Sequence, residues 1–289
     1  MKAIDLKNYV DEYLNNIAKL NGVTNLDRYY NNTDLLLPEI NRLENNSIQQ
    51  VFAQFILHTQ NGTMINSIVD FIRNYDFLRK VTCDFKPQDF LDKFNYSNEY
   101  DRKKSVSRIV EALRYNENNN PNGLKWKTDK SQKKDSIIIR FSDSLIDGAV
   151  YLSKFQNKKD VIEDFNKHYD TVENLITYAK NNFKHGFSVA LCCDFLKELS
   201  SVFVLPKPDV HIMDVMAKFK GYDFKYYKKN ESRAYECIRD FIEIVNQIKN
   251  QDSSMTVYKL DRQIWLCCTG NFFLDIKFDI KDTFLKKIN

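Results

Sequence analysis

Apolar residues recur at intervals of three and four along most of this chain, which is the spacing of an amphipathic helix. Two early examples are the stripe from Ile48 to Ile56 and the stripe from Met64 to Ile72. Further helices are expected at residues 87–94, 106–113, 145–155, 161–169, 171–182, 188–203, 209–219, 233–249 and 257–273. The chain has only 7 Gly and 5 Pro, which disfavours a turn-rich β architecture. The pattern therefore predicts an all-α protein.

Two segments interrupt this pattern. Ile137, Ile138 and Ile139 are three consecutive β-branched residues, so a short β segment near 137–140 and the start of a helix both fit. Residues 116–135 are rich in Asn and Lys, which predicts a surface loop. The lysines around Trp126 could contact a nucleic-acid backbone, although a solvated loop with one packed aromatic residue has the same composition.

Charge and cysteine content narrow the class of protein. The net charge of +4 permits nucleic-acid binding without demonstrating it, because basic and acidic residues are interspersed. Neither a signal-peptide pattern nor an apolar run of about 20 residues is present, so we expect a cytoplasmic protein without a membrane partner. The six cysteines include two vicinal pairs on apolar helix patterns and no CxxC spacing. These features predict reduced, buried thiols with no metal site and no cofactor.

A glycine-bearing link joins two predicted helices, giving a helix-hairpin-helix at about 171–203. Gly186 permits a close backbone approach, so a phosphate can lie against the free N–H groups of the second helix. Ser188 can cap that helix or donate its hydroxyl to the phosphate, and Lys184 and His185 add positive charge. The alternative is a plain αα-hairpin in which the glycine ends the first helix.

A single carboxylate opens the next predicted helix. Asp209 follows Pro208 and precedes an amphipathic run, so it is well placed to be a helix N-cap. Next to a phosphate-binding hairpin, the same carboxylate could act on a sugar held there. Both interpretations remain open from the residues alone.

The two segments together resemble the helix-hairpin-helix DNA glycosylase superfamily, which includes endonuclease-III-like and oxidised-guanine glycosylases. The family hairpin reads Leu-Pro-Gly-Val-Gly-x-x-Thr-Ala, and here Gly186 matches its second glycine and Ala190 its alanine. The family acid lies in Val-Asp-x-His-Val or Val-Asp-Val-His-Met, which Asp209-Val210-His211-Ile212 matches. The likeness spans about residues 48–220. The first hairpin glycine is replaced near Lys184, and the family's cysteine cluster is absent.

The resemblance implies roles for several residues. Asp209 takes the position of the catalytic acid. The segment from Phe55 to Gln60 is similar to the family's helix that ends in a strand-probing loop, so Gln60 and Asn61 could fill the gap left by a flipped base. Ser188 stands where bifunctional members carry a Schiff-base lysine, which implies hydrolysis without strand cleavage.

Three further residues are candidates for the substrate pocket, each with a plainer alternative. His211 could polarise the site or be a satisfied buried histidine, and Lys207 could reach a sugar if the hairpin is shifted. Trp265 could stack on a base, although a core aromatic is the plainer interpretation.

The resemblance also implies an architecture. Two helical subdomains flanking a cleft are expected, a terminal one of residues 1–58 and 205–289 and a central one of residues 59–204. The expected function is that of a monomeric, monofunctional glycosylase acting on double-stranded DNA that carries a damaged or modified base. Hydrolysis of a free modified nucleoside or nucleotide, or non-catalytic DNA binding through the hairpin, are the alternatives.

Overall fold

The fold is helical throughout the part of the chain that the computed structural model describes, which is residues 1–20, 22–23, 26, 38–61, 71–114, 123–124, 136–270 and 281–288. In chain order its helices are α1 Ala3–Leu20, α2 Pro38–Asn41, α3 Ile48–Asn61, α4 Tyr75–Val81, α5 Pro87–Lys93, α6 Arg102–Leu113, α7 Ser136–Leu152, α8 Lys158–Asn166, α9 Val172–Asn182, α10 Val189–Leu199, α11 Val210–Lys220, α12 Glu231–Lys249, α13 Val257–Thr269 and α14 Lys281–Lys286. These residues form no sheet and only two isolated β-bridges. The all-α class is confirmed.

Several helix ends are set by capping residues that the sequence displays. Side-chain oxygens of Thr171, Asn230 and Thr256 each accept a hydrogen bond from the main-chain N–H three residues on, at 3.0–3.1 Å. Gly221 and Gly270 adopt left-handed conformations, with φ of 72° and 61°, and end α11 and α13. Helix α13 therefore ends at Thr269, before the predicted end at residue 273, and residues 271–273 lie outside the described part of the chain.

The isoleucine run at 137–139 is helical, which settles the ambiguity of that segment against a strand. Helix α7 begins at Ser136 and extends to Leu152. Ile138, Phe141 and Leu145 are buried and Ile139 is exposed, so one helical face continues through the β-branched run. Of the predicted loop 116–135, only residues 123 and 124 are described, and the stripe at 64–70 lies outside the described residues.

The chain divides into two compact units. One, here called the terminal unit, contains residues 1–35 and 196–289, and the other, called the central unit, contains residues 36–195. These boundaries differ from the expected divisions at residues 58 and 204. Helix α3 packs against α7 within the central unit, and the second boundary falls inside α10.

The terminal unit is built around α13. Helices α1, α11, α12 and α14 all pack against it, and α1 and α11 also pack against α12. The apolar faces of these helices form one continuous buried core, which includes Leu6, Val10, Leu14, Ile212, Val215, Phe241, Val245, Leu260, Ile264 and Phe284. This core supports the segment that carries Asp209.

The central unit is built around α7, which packs against α3, α5, α6 and α9. At Gly148 of α7 a side chain would collide with the ring of Phe55 on α3, so this glycine permits the close approach of the two helices. Phe55 also contacts the rings of Phe183, Phe187 and Phe195 at centroid distances of 4.8–5.7 Å. Aromatic packing thus joins α3, α7 and the two helices of the predicted hairpin.

The cysteines are free thiols, and all except Cys83 are buried. Burial raises the pKa of the Cys268 thiol to about 12. Among the described helices, none combines the length and apolar character that a membrane crossing needs.

Candidate functional site

The link between α9 and α10 comprises residues 183–188 and belongs to the central unit. Gly186 has a φ of 99°, a conformation that L-residues rarely adopt. A side chain at this position would collide with Ser144 Oγ on α7. The glycine is therefore required by close packing of the link on α7 as well as by its backbone conformation.

His185 is attached to α7 through both its main chain and its side chain. Its main-chain N–H donates to Asp147 Oδ2 at 2.7 Å, and its Nδ1 lies 3.0 Å from the same oxygen. Its carbonyl oxygen accepts a hydrogen bond from Ser144 Oγ. Both main-chain groups of His185 are thus used within the central unit.

A charged cluster beneath the link fixes Asp147, whose side chain is only 3% exposed. Arg102 of α6 donates to Asp147 Oδ1 at 2.8 Å and to both carboxylate oxygens of Glu99, at 2.7 and 2.9 Å. The hydrogen bonds with Arg102 lower the pKa of Glu99 to about 2. Arg102 also lies 3.3 Å from Asp143. The cluster holds the link through a buried carboxylate.

The remaining link residues are a helix cap, a buried aromatic residue and an exposed lysine. Ser188 precedes α10, and its hydroxyl accepts a hydrogen bond from the N–H of Leu191 at 3.4 Å, as a helix cap does. Phe187 is buried and stacks on Phe55 with an interplanar angle of 8°. Lys184 is exposed.

Asp209 is the N-cap of α11 in the terminal unit. The N–H groups of His211 and Ile212 donate to its Oδ1 at 2.8 and 3.1 Å. Within the described part of the chain, no group donates to Oδ2. One carboxylate oxygen therefore fixes the side chain and the other is left for a further partner.

The segment that enters α11 is held by a buried ion pair. Asp261 of α13 accepts a hydrogen bond at Oδ1 from the N–H of Lys207 at 3.2 Å and forms an ion pair at Oδ2 with Lys197. The carbonyl of Lys207 accepts a hydrogen bond from the N–H of Asp209 at 2.7 Å, which closes a tight turn around Pro208. Lys197 and Asp261 are thus linked to the position of Asp209 through the main chain.

His211 is the second residue of α11 and has a buried ring nitrogen. Its Nδ1 has no hydrogen-bond partner among the described residues. Burial lowers the pKa of His211 below its usual range and outweighs the opposite effect of Asp209. The imidazole is therefore neutral at pH 7 and can accept or donate a hydrogen bond.

Lys281 of α14 contacts the first turn of α11. Its Nζ donates to the carbonyl oxygen of Val210 at 3.3 Å and pairs with Asp214, which also pairs with Lys228. Asp214 is therefore shared by two lysines, one of which also contacts the first turn of α11.

The structure groups the predicted site residues by unit. Asp209, Lys207, His211 and Trp265 belong to the terminal unit, and the link residues Lys184, His185, Gly186 and Ser188 belong to the central unit. Trp265 packs on the terminal core beneath Arg262, whose guanidinium lies 5.8 Å from its ring centroid. Gln60 and Asn61 are the last two residues of α3, and their side chains lie outside the described part.

The apolar periodicity gives no indication of the residues that hold these segments. Arg102 and Asp147 are distant in sequence from the link, and Asp261 is distant from Lys207. One signal was available for Asp147, since an aspartate between Ile146 and Gly148 on an apolar helix face needs a buried partner.

No group of three His, Cys, Asp or Glu side chains arranged to hold a metal ion occurs in the described ranges. Comparisons with protein-family models, with curated proteins and with solved structures find no match to this chain.

Proposed function

We propose that the chain is a monofunctional DNA glycosylase that hydrolyses the N-glycosidic bond of a flipped damaged or modified base, with Asp209 as its catalytic carboxylate. The observation that carries the proposal is that the two carboxylate oxygens of Asp209 differ in their hydrogen bonds. Oδ1 accepts two main-chain N–H groups, and Oδ2 has no donor within the described residues. A carboxylate that must act on a substrate needs this combination of fixed position and available oxygen.

The chemistry of base release fits such a carboxylate. Cleavage of the bond between sugar and base develops positive charge on the deoxyribose, which a fixed negative charge stabilises. The same oxygen can orient or deprotonate the attacking water. The neutral imidazole of His211, whose Nδ1 has no partner within the described residues, is suited to a hydrogen bond with that water or with the substrate.

The hydroxyl of Ser188 supports hydrolysis without strand cleavage. It accepts a hydrogen bond from Leu191 N–H as a helix cap, and it cannot form the Schiff base that strand cleavage requires. Lys184 and Lys207 are the amines that the two segments themselves carry. Trapping with borohydride tests them, since only an amine that forms a Schiff base gives a covalent adduct.

A second candidate function is hydrolysis of a free modified nucleoside or nucleotide. The observation that favours it is the internal use of the link, where Asp147 accepts the N–H of His185. That donor is consequently not available to a DNA phosphate. In this alternative Asp209 performs the same chemistry on a free nucleoside or nucleotide, which the protein binds without contacts to a DNA backbone.

Replacement of Asp209 by Asn tests the catalytic role. Asn is as good an N-cap as Asp, so the variant should fold while it loses the charge, and base release should fall at least about 100-fold. Asp252→Asn is a matched control, because Asp252 in the same unit also accepts a main-chain N–H at Oδ1, at 3.0 Å. Base release by Asp209→Asn at the rate of the control would refute the mechanism.

The substrate is identified by incubating the protein with DNAs and nucleosides of varied modification and analysing the released base by mass spectrometry. Binding to duplex DNA at several salt concentrations then separates the two functions. A glycosylase that grips phosphates must lose affinity as salt rises, because counterions are released on binding. Release of base from nucleosides alone, with no salt-dependent DNA binding, would favour the second candidate.

A further inference from the structure

The loop that follows α11 contains four aromatic residues among lysines, in the sequence Gly221-Tyr222-Asp223-Phe224-Lys225-Tyr226-Tyr227-Lys228-Lys229-Asn230. Two of the four rings anchor the loop and two are exposed. We name residues 221–230 the aromatic loop. It lies entirely in the terminal unit.

Tyr226 and Tyr227 anchor the aromatic loop on α12. Tyr227 is fully buried, and its hydroxyl donates to Asp240 at 2.5 Å. The Tyr226 hydroxyl donates to Glu236 at 2.8 Å, and the guanidinium of Arg233 lies 4.2 Å from its ring centroid. The loop is therefore held by hydrogen bonds and a cation–π contact and has a defined shape.

Tyr222 and Phe224 project from this anchored loop into solvent. Their exposed fractions are 40% and 45%, and the Tyr222 ring lies 4.2 Å from that of Tyr226. Because Tyr226 and Tyr227 fix the loop on α12, the exposed faces of Tyr222 and Phe224 have a defined position. An aromatic ring on a fixed support also loses little conformational entropy when a flat partner stacks on it.

The charge around the two rings is positive. Residues 218–233 contain six basic and two acidic side chains. Lys220 and Lys228 pair with Asp240 and Asp214. Lys225 and Lys229 are exposed, and within the described residues no carboxylate lies in ion-pair range of either. The exposed rings are thus accompanied by two cations that are free to meet an anion.

We propose that the aromatic loop binds an unpaired stretch of nucleic acid, with bases stacked on Tyr222 and Phe224 and phosphates paired with Lys225 and Lys229. Proteins that bind single-stranded nucleic acid commonly combine exposed aromatic rings with a row of basic side chains. Bases of any sequence can stack on such rings, because every base has a flat face. This inference rests on the proposed function for a nucleic-acid substrate and extends it to a second contact. Helix α11 has 11 residues, so its rise of about 1.5 Å per residue separates Asp209 from the start of the loop by about 17 Å.

The test is fluorescence anisotropy with an unmodified single strand of about 20 nucleotides, since such sites span about 4–16 nucleotides. All proteins carry Asp209→Asn, so that no turnover occurs. The double variant Tyr222→Ser with Phe224→Ser should raise Kd at least tenfold, on the order expected for the loss of two stacked bases. Tyr100→Ser is the matched control, because Tyr100 is 94% exposed in the central unit and should leave Kd unchanged.

A second variant tests the charge. Lys225→Gln with Lys229→Gln should make the slope of log K against log salt less negative by about 1.4, since each phosphate contact on a single strand contributes about 0.7. Single-strand affinity that survives loss of both rings, or that falls equally in Tyr100→Ser, would overturn the proposal. The rings would then serve another class of partner, such as a protein.

Binding and base release are separate measurements, so the two proposals fail separately. A chain that binds single strands through the aromatic loop but releases no base refutes only the catalytic proposal. A chain that releases a base while the ring variant binds single strands as well as its parent refutes only the loop proposal.

Discussion

Replacement of Gly186 by Ala should destabilise the central unit by about 3–4 kcal/mol. A positive φ costs an L-residue about 1–2 kcal/mol, and the φ of Gly186 is 99°. The new side chain also collides with Ser144 Oγ, which must rotate and give up its hydrogen bonds to the carbonyls of His185 and Arg140. Each of those bonds contributes about 1 kcal/mol.

Two further variants separate the collision from the backbone strain. With Ser144→Ala in place, the nearest atoms to the new side chain are Arg140 Cγ at 3.5 Å and Ser144 Cβ at 3.6 Å, which are ordinary contacts. Gly186→Ala should then cost only the backbone strain of about 1–2 kcal/mol. Gly221→Ala, with a φ of 72° and no atom within 4 Å of the new side chain, gives an independent measure of that strain.

The free energy of unfolding is measured by urea titration, followed by far-ultraviolet circular dichroism. The two units need not unfold together, so hydrogen exchange of residues 136–152 assigns the change to the central unit. The reasoning fails if Gly186→Ala lowers the free energy of unfolding by the same amount whether residue 144 is Ser or Ala. It also fails if Gly186→Ala and Gly221→Ala lower the free energy of unfolding equally.

Two further predictions concern the terminal unit. Asp261→Asn breaks the ion pair of the buried Lys197 and should lower the free energy of unfolding, measured in urea, by about 3–5 kcal/mol. The double variant Lys197→Met with Asp261→Leu removes both charges and should recover much of that loss. The pKa of His211 is lowered on folding, so the unfolded chain binds more protons just below pH 6.5 and stability should rise with pH up to about 6.5. In His211→Gln this rise should be smaller, and an unchanged pH profile between about pH 5 and 7 would show that His211 is not its source.

Helix positions were the part of the fold that local sequence determined best. The pattern predicted 171–182 and 233–249, and the structure has Val172–Asn182 and Glu231–Lys249. In both cases an apolar stripe coincides with a capping residue, Thr171 or Asn230, so local signals agree. The predicted end of α13 was wrong because apolar residues continue in the sequence beyond Gly270, whose capping conformation ends the helix.

The supports of the candidate site could not be predicted in the same way. Asp147 pairs with Arg102 across 45 residues of sequence, and Asp261 accepts the N–H of Lys207 across 54. Such pairs depend on which helix faces meet, and periodicity gives the faces but not their partners. The capping position of Asp209 was predictable, because Asp before an amphipathic run is a local signal. The internal hydrogen bonding of His185 was not.

The terminal unit is assembled from two stretches that lie on either side of the central unit in sequence, which has a consequence during synthesis. Helix α1 is made before the central unit, yet the surfaces that bury Leu6, Val10 and Leu14 belong to α12 and α13, more than 200 residues later. At ribosomal rates of about 5–20 residues per second, that interval lasts on the order of ten seconds or longer. The central unit is one uninterrupted stretch and can fold within it. We expect nascent chains to pass through a state in which the central unit is folded and α1 presents an apolar face that chaperones can bind.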